Sequence, residues 1–390
     1  MPKILIAEDS PTVTMILQKI FATDDDCQVI GVAKNGREAV EKVQILRPDI
    51  VTMDIRMPVM DGFEATKQIM QTSPTPILVI SASVGKDDLN IAFNAIRAGA
   101  LDIVEKPKGN LAMDYEYIGR DLIKKVKILS GVKVFHHIGG AKNKSSDAKS
   151  NDKTDTLSVR QPRVPAPAAE VPSVKETLWR EPLTPKSVYP KLLSPVKTPE
   201  VIAIASSTGG PSALLKLLKT LPAGFPVPVV IVQHICEGFG QGFVEWLNKE
   251  CGMNVKTADR GEELQPGTIY VAPDGYHLFI DSGKIVRLSK SMPVNGLRPN
   301  ATLMMESVAK VFGAASIGIV LTGMGRDGAD GAKAIKEAGG FTMAQNAESC
   351  VVFGMPKETI ELGVVDKILP PEKMTAELMA FFKLYQTANA

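Results

Sequence analysis

Two blocks of this 390-residue chain show the same alternation of short apolar runs and amphipathic stretches. In the first block, over residues 1–130, the candidate buried strands are "KILIAE", "DIVTMD", "PILVISAS" and "ALDIVEKP". In the second block, over residues 199–390, they are "VIAIAS", "PVVIVQH", "TIYVAP", "HLFI", "IGIVLTG" and "FTMAQ". Stretches with helical periodicity separate these runs in both blocks. Because strands that alternate with helices form parallel sheets, we expect two doubly wound α/β domains with mostly parallel sheets.

The segment between the two blocks, residues 131–198, has a different composition. It contains "GGAKNKSSDAKSNDKTDTLSVRQPRVPAPAAEVPS", which is polar and then rich in proline, and its Lys and Arg residues outnumber its acids. Such a segment cannot bury enough apolar surface to offset the entropy lost on ordering. It is therefore predicted to be a disordered basic linker, with docking on an acidic partner as the alternative.

Composition excludes several classes of protein. The formal net charge of +2 argues against a dedicated nucleic-acid binder, and the four cysteines form no C-x-x-C pair that would indicate a zinc ribbon. The N-terminal stretch "MPKILIAEDSPTV" becomes acidic too early for a signal peptide, and no apolar run is long enough to span a bilayer. We expect a soluble cytoplasmic protein that neither binds nucleic acid nor inserts into membranes.

Five polar side chains occupy the predicted carboxyl ends of strands in the first domain. Glu8 and Asp9 end the first strand, Asp54 ends the third, Ser81 follows the fourth and Lys106 follows the fifth. In a doubly wound sheet these ends meet at one edge, where ligands bind. Clustered carboxylates are costly unless a cation screens them, and an all-oxygen site suits Mg²⁺. A carboxylate nucleophile beside a metal, a lysine and a hydroxyl indicates phosphoryl transfer.

This first block resembles the receiver domain of response regulators through "AEDS", "MDIRMPVMDG", "ISAS" and "EKP". The resemblance implies a flavodoxin-like fold and a histidine kinase as phosphodonor. It implies Asp54 as the phosphorylated residue, Ser81 and Lys106 as phosphate contacts, and Mg²⁺ ligands from Glu8, Asp9, Asp54 and the backbone carbonyl of Arg56. The family usually carries an aromatic residue three positions before the lysine, where this chain has Ile103.

The stretch "AIASSTGGPSALLKLLKTL" in the second block reads as strand, turn and helix. It is similar to the G-x-S-x-G nucleophile elbow, with Ala205 in the first glycine position, and this register selects Ser207 rather than Ser206 as the nucleophile. Considered alone, the stretch fits a phosphate-binding turn at least as well, because free N–H groups at a helix start bind anions.

A serine nucleophile needs a base, and strand ends supply the candidates. His234 follows "PVVIVQ" at a strand end, whereas His277 lies at a strand start and is interpreted as structural. The glycine-rich stretch after "IGIVLTG" offers Asp327 near the strand end, while Asp330 is interpreted as an acid at the start of the next helix. The order Ser…His…Asp differs from that of the α/β-hydrolases.

The second block resembles the catalytic domain of chemotaxis protein-glutamate methylesterases through "SSTGG", "QHI", "GTIYVAPDGYHL", "LRP", "LTGMGRDGADG" and "AQNAESCVVFGMP". The resemblance implies a Rossmann-like domain without a cofactor that hydrolyses glutamate methyl esters on methyl-accepting chemoreceptors in chemotaxis adaptation. Deamidation of receptor glutamines is implied as a second activity. The roles implied are a triad of Ser207, His234 and Asp327, and oxyanion or substrate contacts from Thr208 and Met324. The chain departs from the family pattern at Ala205, Ser206 and Thr302.

Two other functions remain open from the sequence. The chain could be a phosphorylation-controlled adaptor that binds a partner without turnover, or an esterase of small molecules. For the methylesterase, we expect the unphosphorylated first domain to block the Ser207 site sterically and phosphorylation of Asp54 to release it.

Overall fold

The computed structural model describes residues 1–82, 86–107, 112–134 and 197–388. Apart from its two ends, the predicted linker lies outside the described residues, so its predicted disorder stays a prediction. Among the described residues, no helix combines the length and apolar character that crossing a bilayer requires.

The first domain is a five-stranded parallel sheet with strand order β2-β1-β3-β4-β5. Its strands are β1 Lys3–Ala7, β2 Gln28–Ala33, β3 Ile50–Asp54, β4 Ile77–Ser81 and β5 Asp102–Glu105. The helices between and after them are α1 Pro11–Phe21, α2 Gly36–Leu46, α3 Gly62–Thr72, α4 Lys86–Ala98 and α5 Ala112–Leu129. The strand order reverses between β1 and β3, so the carboxyl ends of these two strands form a crevice.

Helix starts in this domain are fixed by side chains that accept backbone hydrogen bonds. The side chains of Ser10, Asn35 and Asp61 each accept from the N–H three residues further on, at the starts of α1, α2 and α3. Each of these caps satisfies a donor that the first helical turn leaves without a partner. The helices that begin at the crevice therefore start at defined residues.

The second domain is a seven-stranded parallel sheet with strand order β14-β13-β12-β6-β7-β9-β8. Its strands are β6 Val201–Ser206, β7 Val229–Gln233, β8 Asn254–Thr257, β9 Thr268–Val271, β12 Ser316–Val320, β13 Phe341–Gln345 and β14 Lys367–Leu369. Its helices are α6 Gly210–Leu218, α7 Gly240–Glu250, α8 Ala301–Phe312, α9 Ala329–Glu337, α10 Met355–Glu361 and α11 Pro371–Ala388. The order reverses between β6 and β12, which makes their carboxyl ends the expected ligand-binding edge.

One predicted strand lies outside this parallel sheet. The run "HLFI" belongs to β10 His277–Asp281, which pairs antiparallel with β11 Ile285–Ser289 in a separate hairpin. Only five residues separate β9 from β10, too few for the crossover that a parallel neighbour needs. The prediction of mostly parallel α/β sheets is confirmed, and the hairpin is an addition that alternation alone does not indicate.

Helix α4 of the first domain packs against helix α7 of the second within one compact unit. The ring of Phe93 stacks on Trp246, with 5.5 Å between centroids, and tilts against Phe243 at 5.7 Å. Arg97 Nη1 pairs with Glu250 Oε1 at 2.7 Å beside this aromatic cluster. The contact between the domains is therefore apolar at its centre and charged at its edge.

Core packing in the first domain gives a matched test. Ile4 in β1 is fully buried, whereas Ile45 in α2 is 76% exposed. Replacing Ile4 by alanine leaves a cavity, so Ile4→Ala is expected to lower the free energy of unfolding by about 2–5 kcal/mol. Ile45→Ala is expected to change it by less than about 0.5 kcal/mol. Urea denaturation followed by circular dichroism measures both, and equal effects would contradict the burial described here.

Candidate functional sites

The turn after β6 separates the two adjacent serines. Ser206 is the last residue of β6 and is fully buried, and its Oγ lies 2.7 Å from Gln233 Oε1. Ser207 is the first residue past the strand and is partly exposed. Gly209 then adopts φ +77°, where a side chain would be strained, and α6 begins at Gly210. Of the two hydroxyls, that of Ser207 is the one a substrate can reach.

His234 and Asp327, which lie 93 residues apart, meet at the carboxyl ends of β7 and β12. The distance from His234 Nε2 to Asp327 Oδ2 is 2.8 Å, and both side chains are largely buried. Because a carboxylate can only accept, Nε2 carries the proton, and the lone pair of the neutral ring lies on Nδ1. The ring nitrogen available to act as a base is therefore Nδ1.

Four hydrogen-bond donors surround the carboxylate of Asp327. Its Oδ2 accepts from the N–H of Ala301 at 2.7 Å as well as from His234, and its Oδ1 accepts from the N–H groups of Thr302 and Gly328 at 2.9 and 3.0 Å. Burial by itself raises the pKa of Asp327, but the hydrogen bonds to His234, Ala301 and Thr302 outweigh it and lower the pKa below its usual value. Asp327 is therefore ionised at neutral pH and orients the imidazole.

The backbone N–H groups of Thr208 and Met324, the predicted oxyanion contacts, belong to the turns that follow β6 and β12. Ser207 N–H donates to the carbonyl of Thr322 at 3.0 Å, which holds the turn against the end of β12. Within the described part of the chain, neither Thr208 N–H nor Met324 N–H has an acceptor. Both N–H groups are therefore available to a ligand, and their role as oxyanion donors stays a prediction.

Ser207 and His234 follow the ends of the paired strands β6 and β7, and no hydrogen bond joins their side chains in the described residues. The backbone of His234 is tied to the turn, since its N–H donates to the Ser206 carbonyl at 2.9 Å. Catalytic hydrogen bonds are often loose before substrate binds and tighten in the complex. The structure thus brings together the histidine and the aspartate and places the serine at the neighbouring strand end.

The two rejected candidates lie elsewhere. His277 is fully buried, and its Nε2 lies 3.1 Å from the carbonyl of Met292. Asp330 is an exposed residue in the first turn of α9, where it pairs with Arg326 at 2.8 Å. Among the described residues, neither forms a hydrogen bond or an ion pair with His234.

Sequence reasoning missed two residues that support this site. Thr302, noted only as a departure from the family pattern, donates its N–H to Asp327 and accepts the Gly328 N–H on its hydroxyl at 2.9 Å. Gln233 lies between the turns that carry Ser207 and His234. The available signal was a polar residue closing the otherwise apolar run "PVVIVQ".

The first domain gathers three acids at the crevice between β1 and β3. Glu8, Asp9 and Asp54 offer oxygens that all lie within 4.8 Å of one another. Lys106 Nζ lies 2.9 Å from Glu8 Oε2 and 2.8 Å from Asp54 Oδ2, but neither oxygen is well aligned for a hydrogen bond. Ser81 is buried at the end of β4, and the N–H of Lys106 donates to its carbonyl at 2.9 Å. Arg56 is two residues past Asp54 and donates its N–H to Asp54 Oδ1 at 3.3 Å.

Charge in this crevice is unbalanced. Burial is the main cause that raises the pKa of Glu8 and of Asp54, and the charge of Asp54 adds to the shift at Glu8. Burial opposes charge on Lys106, but Asp54 and Glu8 outweigh it and raise the lysine pKa. The Lys106 ammonium group pairs with two of the three clustered carboxylates, and one buried oxygen of each of these two lacks a hydrogen bond. The donor set therefore fits a hard divalent cation such as Mg²⁺.

The raised pKa of Asp54 gives a stability prediction. A carboxyl group with a raised pKa in the folded state binds protons more readily there, so stability falls as pH rises through that pKa. In metal-free buffer, Asp54→Asn is expected to raise the melting temperature at pH 7, with a gain that shrinks as the pH is lowered. Asp25→Asn, at an exposed acid of the same domain, should change nothing. Melting curves from pH 5 to pH 8 test this, and a destabilised Asp54→Asn at pH 7 would contradict it.

Comparisons with known proteins cover both domains. Residues 202–378 match the CheB methylesterase family, and residues 4–113 match the response regulator receiver domain. The chain is 41% identical over 380 residues to protein-glutamate methylesterase/protein-glutamine glutaminase 1 of Syntrophus aciditrophicus (strain SB). This match covers 97% of the present chain and 98% of the relative. The chain is 40% identical over 381 residues to protein-glutamate methylesterase/protein-glutamine glutaminase 4 of Myxococcus xanthus (strain DK1622), with 98% and 97% covered.

A solved CheB methylesterase catalytic domain from Thermotoga maritima is 39% identical and covers 47% of this chain and 98% of its own, with a TM-score of 0.46. The relatives match over nearly their whole length and over both domains. The chain therefore belongs to the CheB family of methylesterases that carry a response regulator receiver domain.

Proposed function

We propose that this protein hydrolyses glutamate methyl esters on chemoreceptors through a triad of Ser207, His234 and Asp327. The observation that carries the proposal is the buried pair of His234 and Asp327 at 2.8 Å, next to the strand end that carries the partly exposed Ser207. The names of the full-length relatives supply the substrate class, since they are called protein-glutamate methylesterases and protein-glutamine glutaminases.

The proton route follows from the orientation of the imidazole. His234 Nδ1 takes the proton of the Ser207 hydroxyl as the serine oxygen attacks the ester carbonyl. Asp327 holds the Nε2 proton and stabilises the imidazolium that forms. The same Nδ1 proton then passes to the leaving methoxide, which departs as methanol, and water resolves the acyl-enzyme by the reverse sequence.

When Ser207 attacks, the ester carbonyl oxygen becomes negatively charged. The N–H groups of Thr208 and Met324 would donate hydrogen bonds to this oxygen. Fixed donors aimed at a developing oxyanion are commonly a large contribution to catalysis. A glutamine side chain presents the same carbonyl with ammonia as the leaving group, so deamidation of receptor glutamines is a second reaction of the same site. No step requires a cofactor in this domain.

The first domain is proposed to be the switch, with Asp54 phosphorylated by a histidine kinase. Glu8, Asp9, Asp54 and the backbone carbonyl of Arg56 would hold Mg²⁺, which would neutralise charge on the phosphoryl group when bound. Lys106 and Ser81 would contact the phosphoryl oxygens. We assign the receiver domain to residues 1–130, the linker to residues 131–198 and the catalytic domain to residues 199–390.

Contacts between the domains support steric control in the unphosphorylated chain. Cys236, two residues past His234, packs against an apolar cluster of the first domain that includes Val104. Val351 and Val352 pack on the apolar cluster between β1, α1 and α5 of the first domain. The receiver domain therefore contacts segments on both sides of the proposed catalytic site.

An adaptor without turnover is the alternative, and it requires no proton acceptor beside the serine. The four donors collected on Asp327 favour an enzyme, because a binding surface has no need to fix an imidazole tautomer. A small-molecule esterase would act independently of Asp54 and of the receptor.

Release of methanol from methylated receptor membranes tests the nucleophile. Ser207→Ala is expected to lower kcat by about 10³-fold or more, because triad members act as a unit. Ser206→Ala removes one buried hydrogen bond, to Gln233, and is expected to lower kcat by no more than about tenfold. Equal loss in both variants, or in neither, would contradict the assignment.

Weakening the contact between domains tests steric control. Phe93→Ala removes the ring that packs on Phe243 and Trp246, and each aromatic pair contributes about 0.5–1.5 kcal/mol. A loss of about 1.4 kcal/mol from the contact between the domains shifts the equilibrium toward the released arrangement about tenfold. We therefore expect methanol release without phosphodonor to rise about tenfold. Arg97→Glu, which faces Glu250, should act in the same direction, whereas Arg37→Glu on the exposed side of α2 should not. An unchanged basal rate in both interface variants would exclude this form of control.

A further inference from the structure

We infer that Gln233 is a positioning residue that aims the proposed oxyanion hole and joins the turns of the nucleophile and the base. The inference rests on the proposed roles of Ser207 and His234. Gln233 is the last residue of β7 and is 3% exposed, so substrate cannot reach its side chain. Any effect on the reaction must therefore pass through the groups that it binds.

Each polar atom of the Gln233 amide has a partner. Its Nε2 donates to the carbonyl oxygens of Ser207 at 2.9 Å and of His234 at 2.7 Å, and its Oε1 accepts from Ser206 Oγ at 2.7 Å. Carbonyl oxygens can only accept, so the NH₂ group must face the two catalytic turns. The orientation of the amide is thus fixed by its surroundings.

The hydrogen bond to the Ser207 carbonyl helps to fix the direction of the Thr208 N–H. In a trans peptide the C=O of one residue and the N–H of the next lie in one plane and point in opposite directions. Gln233 draws the Ser207 carbonyl inward, and this turns the Thr208 N–H outward, where it has no acceptor among the described residues. Gly210 N–H holds the same carbonyl at 2.7 Å, so Gln233 is one of two groups that fix this plane.

The second hydrogen bond fixes the backbone beside the base. The carbonyl of His234 accepts from Gln233, while the N–H of His234 donates to the Ser206 carbonyl at 2.9 Å. The N–H of His234 is therefore held by the strand end that leads to Ser207, and its carbonyl is held by the Gln233 amide, which also binds the Ser207 carbonyl. A shift of one turn without the other would break at least one of these bonds.

Packing leaves no room for a different arrangement. A Cβ on Gly210 would collide with Gln233 Oε1 and lie 3.0 Å from the Ser206 Cβ, so the first residue of α6 must be glycine. The close approach of α6 holds the amide in place from the side opposite to the two carbonyls. The arrangement is rigid, as positioning of a reacting group within a fraction of an ångström requires.

Two substitutions separate positioning from packing. Gln233→Met keeps an unbranched side chain of similar length and removes both donations. Gln233→Glu keeps the shape but sets a carboxylate against two carbonyl oxygens, an environment that raises the pKa of the new carboxyl group. When protonated, this carboxyl group can donate one of the two hydrogen bonds again.

The experiment uses the full chain with methylated receptor membranes, Mg²⁺ and acetyl phosphate, and measures methanol release. Removal of one oxyanion donor lowers kcat by about 10²- to 10³-fold, and a donor that is present but poorly oriented should lower kcat by less. We expect Gln233→Met to lower kcat about 10- to 50-fold with KM changed less than about twofold. For Gln233→Glu, the rate relative to wild type at the same pH should recover as the pH falls from 8 to 6. Gln265→Glu, the same change at an exposed amide of the domain, is the control and should show neither effect.

A second readout is independent of the receptor. A fluorophosphonate probe forms a bond from Ser207 Oγ to phosphorus, expels fluoride and passes the serine proton to His234. The labelling rate should fall in the Gln233 variants by a factor similar to that of kcat, since the phosphoryl oxygen uses the same donors.

The outcomes distinguish this inference from the function on which it rests. If Ser207→Ala keeps full activity and labelling, the proposed triad is wrong. If Ser207→Ala is inactive but both Gln233 variants, folded by circular dichroism, keep wild-type kcat and labelling, Gln233 does not position the site. A change in KM alone, or a lower melting temperature with full kcat, would equally overturn the inference.

Discussion

The proposed catalytic site depends on the hydrogen bonds that the carboxylate of Asp327 accepts at the start of α8. Four donors from three separate segments converge on its two oxygens: two N–H groups of α8, the N–H of Gly328 and His234 Nε2. Helix N-termini favour negative charge, so this position stabilises the ionised acid and at the same time fixes the ring. The imidazole has its orientation before any substrate arrives.

The two parallel sheets use the same topology for different chemistry. Each reverses strand order next to its site, between β1 and β3 in one domain and between β6 and β12 in the other. In the first domain, the crevice collects more carboxylates than cations, and burial raises their pKa values. In the second, a single buried acid is fully paired, and its pKa is lowered. The balance of hydrogen-bond donors, rather than the fold, therefore decides which of the two acidic sites fits a divalent cation.

Much of the fold follows from the sequence because buried parallel strands are apolar runs with polar residues at their carboxyl ends. This rule placed His234 and Asp327 at strand ends. It also distinguished Ser206, the last residue of its strand, from Ser207, the first residue after the strand. It could not indicate which imidazole nitrogen faces Asp327, since that depends on the approach of α8. Nor could it identify Gln233 or Phe93, whose partners come from elements far apart in sequence. The strands β2, β8 and β14 gave weak signals because they lie at sheet edges and are only partly buried.

The contact that Cys236 makes with the first domain has a consequence for distance along the chain. Cys236 packs against an apolar cluster of that domain that includes Val104, and Val104 precedes Lys106 by two residues. His234 likewise precedes Cys236 by two residues. Lys106 beside Asp54 and His234 beside Asp327 are therefore each only two residues away from a residue of this apolar contact. Sequence change in strands far from these two short segments is compatible with an intact contact between the domains.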